Sequence, residues 1–80
     1  MIDVNKIVTL ETNEKFLIIS DIKIKNERFL MGVRVNEGKY ENDFRIFTEN
    51  IKNNERYLEE LVDQDLIRLI VDTYVIENSN

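Results

Sequence analysis

The chain's 80 residues include no His, Cys, Trp or Pro and only two Gly and two Ser, so the usual nucleophiles, general bases and soft-metal ligands are nearly all missing. This excludes His-based triads, zinc, haem and iron–sulfur centres and disulfides, and leaves one small domain whose function rests on shape and charge. The net charge of −5 is unevenly spread: residues 1–35 carry six basic and five acidic side chains, and residues 36–80 carry five and eleven. An acidic half of this kind suits a basic protein partner or solubility, and does not seek phosphate.

No apolar run approaches the roughly 20 residues that a membrane span needs. The opening Met1-Ile2-Asp3-Val4-Asn5-Lys6 has no basic segment followed by an apolar one, so no signal peptide is expected and the predicted location is cytoplasmic. Ala is absent while Ile, Asn, Lys and Glu abound, as AT-rich coding in a low-GC bacterium or its phage would produce.

Alternation of apolar and polar residues dominates the first fifty positions and predicts an antiparallel β-meander. The first strand covers about residues 6–11, and Thr12-Asn13-Glu14 turns the chain. The second covers about 15–25, where Phe16, Ile18, Ile22 and Ile24 share the predicted core face. The third covers about 28–35, with Phe29, Met31, Val33 and Val35 on that face. A turn through Lys25-Asn26-Glu27-Arg28 sets Ile24 against Phe29, Ile22 against Met31 and Ile18 against Val35. By the same reasoning Val8 faces Ile18 and Leu10 faces Phe16. A polar loop over residues 36–43 precedes a fourth strand at about 44–50, which pairs Val35 with Phe44 and Val33 with Ile46. Residues 56–62 fit helical spacing, but the preceding Lys52-Asn53-Asn54-Glu55 suits a hairpin, so a fifth strand is the preferred reading.

Residues 64–76 read as a helix capped by Asp63, with Leu66, Leu69, Ile70 and Thr73 or Tyr74 as the stripe that covers the sheet. Asn78-Ser79-Asn80 is expected to fray. The fold class is therefore α+β: a four- to five-stranded antiparallel meander and one C-terminal helix, all in a single domain over residues 1–80.

The search for chemistry ends with no catalytic, cofactor-binding or metal residue expected. Gly32 and Gly38 form no phosphate-binding loop. Asp63-x-Asp65 opens like a calcium loop, but Ile67 takes the third ligand position and Arg68 the place of the turn glycine. Acid–base chemistry by two of the sixteen carboxylates stays open, with the first candidates among Glu59, Glu60, Asp63 and Asp65, and a hydrolase built on them is the weakest reading.

Two surfaces remain. Glu55, Glu59, Glu60, Asp63 and Asp65 form an acidic patch that serves solubility and edge protection, or presents negative charge to the nucleic-acid site of a basic host protein. The second sheet face carries Leu17, Ile19, Leu30 and Phe47 among Arg34 and Arg45, with Phe47 set opposite Gly32. One helix covers one face of a sheet, so these six residues are either a protein interface or the interior of a sheet that curls over them.

The segments Ile7-Val8-Thr9-Leu10-Glu11, Glu14-Lys15-Phe16-Leu17-Ile18, Phe29-Leu30, Asp43-Phe44-Arg45-Ile46 and Asp63-Gln64-Asp65-Leu66 carry a resemblance. By them the chain resembles the YrzB-like group of small acidic proteins of unknown function from low-GC Gram-positive bacteria and their mobile elements. The resemblance implies a small β-meander closed by a helix, and it brings no activity and no functional residues. The preferred functional expectation is a non-catalytic interaction module that binds a protein partner, or forms a homodimer, through the second sheet face. The alternative is a phage or mobile-element inhibitor whose acidic half mimics nucleic acid. Neither reading involves a cofactor, a membrane or direct nucleic-acid binding.

Overall fold

The computed structural model describes residues 3–78. Five strands follow in chain order, β1 (Ile7–Thr9), β2 (Lys15–Ile24), β3 (Glu27–Asn36), β4 (Lys39–Lys52) and β5 (Glu55–Glu60), and then one helix, α1 (Gln64–Asn78). The strands form a single antiparallel sheet in the order β1-β2-β3-β4-β5. The α+β meander and its helix are as the alternation and the Asp63 cap predict, and residues 55–60 form the fifth strand. The expected fraying of Ser79 and Asn80 lies outside the described residues, while Asn78 still belongs to the helix.

Three of the four hairpins turn on two residues that are both left-handed: Lys25-Asn26, Glu37-Gly38 and Asn53-Asn54. Such a pair matches the right-handed twist of the strands it joins. Asn and Gly tolerate this backbone region, whereas Lys25 and Glu37 occupy it at a steric cost. Because the first turn sits at Lys25-Asn26, Ile22 faces Phe29 and Ser20 faces Met31, two residues away from the predicted register. Glu37-Gly38 likewise converts the expected polar loop into strand, so β4 begins at Lys39 and Val33 faces Phe44. In the first hairpin Val8, rather than Leu10, faces Phe16.

A β-bulge between Ile18 and Ser20 corrects the predicted core face. One additional residue there reverses the alternation, so the two halves of β2 turn opposite sides inward. Ile22 joins Phe29, Met31, Ile46 and Ile70 of α1 in one buried cluster, which Ile19, Leu61, Leu66, Ile67 and Tyr74 border. Phe16 and Ile18 instead join Leu30 and Phe47 in a second cluster on the opposite face. Val8 and Leu10 from one end of the sheet and Leu58 from the other pack against that second cluster. The sheet therefore curls, with a concave face that encloses its own core and a convex face that carries the helix.

Phe16 and Phe47 meet edge to face with ring centroids 5.2 Å apart. Gly32 lies diagonal to Phe47 and faces Arg45 across the ladder. A Cβ at Gly32 would sit 3.1 Å from the Phe47 ring and 3.2 Å from the Phe16 Cβ, so the bare backbone is what lets the two rings close over β3. At the start of α1 the Asp63 Oδ1 accepts hydrogen bonds from the backbone N–H groups of Asp65 (3.1 Å) and Leu66 (3.2 Å). The inward stripe of α1 uses Leu66, Ile67, Ile70 and Tyr74, whereas the predicted Leu69 is 47% exposed.

Candidate functional site

On the convex face one row of side chains crosses four strands. Ile7 faces Leu17, Leu17 faces Val33, and Val33 faces Phe44. All four are apolar, and the outer two are solvent-exposed, Ile7 at 58% and Phe44 at 56%. The next row outward is Thr9, Lys15, Val35 and Tyr40, paired in the same way. These eight side chains include one Lys and no carboxylate, on a chain with sixteen Asp and Glu. Met31, two residues before Val33 on the same strand face, is already buried with Ile70 of the helix. The apolar row thus begins where the cover of α1 ends.

The concave face carries a different row. Arg28 pairs with Asp21 (2.7 Å) and with Glu49 (3.3 Å), and Glu49 pairs with Arg56 (2.9 Å). Acid and base alternate across β2, β3, β4 and β5, and Arg28, Glu49 and Arg56 also border an open groove of about 680 Å³ together with Glu27, Thr48, Asn50 and Glu59. At the other end of the concave face Arg34 pairs with Glu14 and Glu41, and Arg45 with Asp43 and Glu60. The Arg45 guanidinium also stands 5.6 Å from the centre of the Phe16 ring. Hydrogen bonds to Asp43, and next to Glu60, hold Arg45 protonated more firmly than an ordinary arginine. A second groove, of about 460 Å³, lies where the sheet curls without closing, between Val8–Thr12 and β5.

The six residues of the predicted interface do not share a surface. The bulge places Leu17 and Ile19 toward the convex side, where Leu17 joins the apolar row and Ile19 packs against the helix-covered core. Leu30 and Phe47 are fully enclosed in the concave core, so the curled alternative holds for them. Arg34 and Arg45 flank that core with their charges engaged in ion pairs.

The acidic patch is likewise divided. Glu60 faces Phe47 and pairs with Arg45, while Glu55 and Glu59 alternate to the other side of β5. Glu55 accepts a hydrogen bond from the Tyr57 hydroxyl at 2.6 Å, which raises the Tyr57 pKa above its usual value. Asp63 is occupied in capping the helix, and Asp65 lies in its first turn. Among the described residues no group of three or more Asp and Glu is placed to hold a metal ion. No helix among them is long and apolar enough to cross a membrane.

Sequence reasoning missed the exposure of Phe44, which alternates correctly and was expected in a core that one helix would cover, and it gave Ile7 no role. The expected burial of Val33 holds. The signal that separates Phe44 from Met31 and Ile46 is its position along the strand, beyond the reach of a fifteen-residue helix that starts at the end of β5. Compared with known proteins, the chain matches no family model, no curated protein and no solved structure.

Proposed function

We propose that this chain is a non-catalytic protein-interaction module, acting in the cytoplasm, whose working surface is the convex apolar row Ile7–Leu17–Val33–Phe44. The observation that carries the reading is the row itself. Four apolar residues stand in direct cross-strand succession, with Val33 buried between them and both ends more than half exposed, and such exposed apolar ends suit a protein contact. The electrostatics agree with it. Arg28, Arg34, Arg45 and Arg56 are committed to carboxylates of the same chain, and the net charge of −5 disfavours binding to phosphate.

The test is a photo-crosslinking phenylalanine analogue at position 44, activated in cells that express the chain, with the same analogue at Asn53 as control. The reading predicts a covalent protein adduct from position 44 that position 53 does not form. No adduct at 44, or identical adducts from both positions, would refute it.

A further inference from the structure

The convex face holds two unlike surfaces side by side. One is the pair of rows just described, apolar with a single Lys. The other is the outer face of α1, where Asp65, Leu69, Asp72 and Ile76 follow at spacings of four, three and four residues. That spacing keeps all four on one narrow stripe of the helix, turned away from the buried Ile70 and the partly buried Leu66, Ile67 and Tyr74. Within the stripe Leu69 is 47% and Ile76 72% exposed. The stripe is apolar and acidic, and the rows are apolar and basic.

Building on the reading of the apolar row as an interaction surface, we propose that its occupant is a second copy of this chain. The two copies dock reciprocally, with the α1 stripe of each laid along the Ile7–Leu17–Val33–Phe44 row of the other. Three features point to this occupant. The first is charge complementarity: the helix carries Asp65, Asp72 and Glu77 against one Arg68, and the rows carry Lys15 with no carboxylate. The second is length. Four strands at about 4.8 Å spacing make a row of about 14 Å, and eleven helical steps of about 1.5 Å make a stripe of about 16 Å. The third is placement. A helix stands about 10 Å proud of the sheet it covers, so the convex face is a step with the rows on its lower tread. Two such steps interlock about a twofold axis, and the contact closes after two copies. A basic partner is not required, because each copy supplies the acidic helix that the other copy's rows accept.

Light scattering coupled to size exclusion, with sedimentation equilibrium up to roughly 0.5 mM chain, decides the matter. The proposal expects twice the monomer mass in the wild type, falling to the monomer mass in both Phe44→Asp and Leu69→Asp. Both side chains are about half exposed, so the variants should melt close to the wild type at low concentration. Lys15→Glu should weaken the dimer about tenfold over its two equivalent contacts, and adding Asp72→Lys in the same chain should restore it. A wild type that stays monomeric throughout the range overturns the second-copy proposal. A dimer that Phe44→Asp dissolves and Leu69→Asp leaves intact overturns the reciprocal docking of helix on row, since that contact would be row against row. A monomeric wild type whose position-44 cross-link joins a different protein would remove only the second copy and leave the interaction reading standing. A monomer that yields no such cross-link would remove both.

Discussion

Two rows of side chains cross this sheet, one on each face, and each runs over four strands. The concave row, Asp21–Arg28–Glu49–Arg56, alternates acid and base so that each charge meets its opposite within the chain. The convex row, Ile7–Leu17–Val33–Phe44, is uniformly apolar, and solvent reaches both of its ends. Composition alone would cast the charged row as the surface and the apolar row as the core. Geometry reverses this at the middle of the charged row and at the ends of the apolar one, whose Val33 stays buried. The Arg28 and Glu49 side chains are only 15% and 13% exposed, whereas Phe44 is 56% exposed. Charges that are satisfied internally have little left to offer a partner, and an apolar row left outside the helix has everything left to offer one.

The contrast can be broken from the charged side with the larger effect. Glu49→Gln takes away the carboxylate between Arg28 and Arg56 at a largely buried position. It should cost about 1–3 kcal/mol, read as a lower urea midpoint at unchanged slope. An unchanged midpoint would mean that the ladder of charges contributes nothing measurable.

A smaller effect sharpens the same distinction at the rim of the acidic half. Tyr57 donates to Glu55, so its phenol should titrate above the usual value near 10, followed by ultraviolet difference absorbance. Its folded pKa is raised, so any stability it lends is present below the unfolded pKa and lost as pH rises through the folded one. Glu55→Gln should lower the titration toward the ordinary value.

Much of this architecture was legible in the sequence because local rules agreed with one another. Alternation marked the strands, Asn53-Asn54 marked the last hairpin, and Asp63 marked the helix start. The register was not legible, because the first turn places Lys25, a residue with no preference for left-handed backbone, beside Asn26. Moving that turn by one residue shifts every pair in the hairpin by two. The bulge at Ile19 was hidden in Phe16-Leu17-Ile18-Ile19, four apolar residues in succession with no polar residue to reveal where the alternation reverses. That reversal carried Leu17 to the convex face, so the expected interface was divided between two surfaces.

The preferred interface fails at Leu30 and Phe47, where the curled alternative that alternation left open is what buries them. What separates Phe44 from Ile46 is only how far one helix reaches, and alternation says nothing about that. The acidic patch dissolved for a simpler reason. Glu59 and Glu60 are neighbours in sequence and therefore project from opposite sides of a strand.

The central claim is that the exposed end of the convex row at Phe44 is held for a partner and is not part of the core that stabilises the fold, unlike the buried Val33 beside it. Phe44→Ser, unfolded in urea at a few micromolar chain and then weighed at high concentration, tests it most directly. The account predicts a folding stability within about 0.5 kcal/mol of the wild type together with loss of association. A variant that loses several kcal/mol of stability, or that associates as the wild type does, would contradict it.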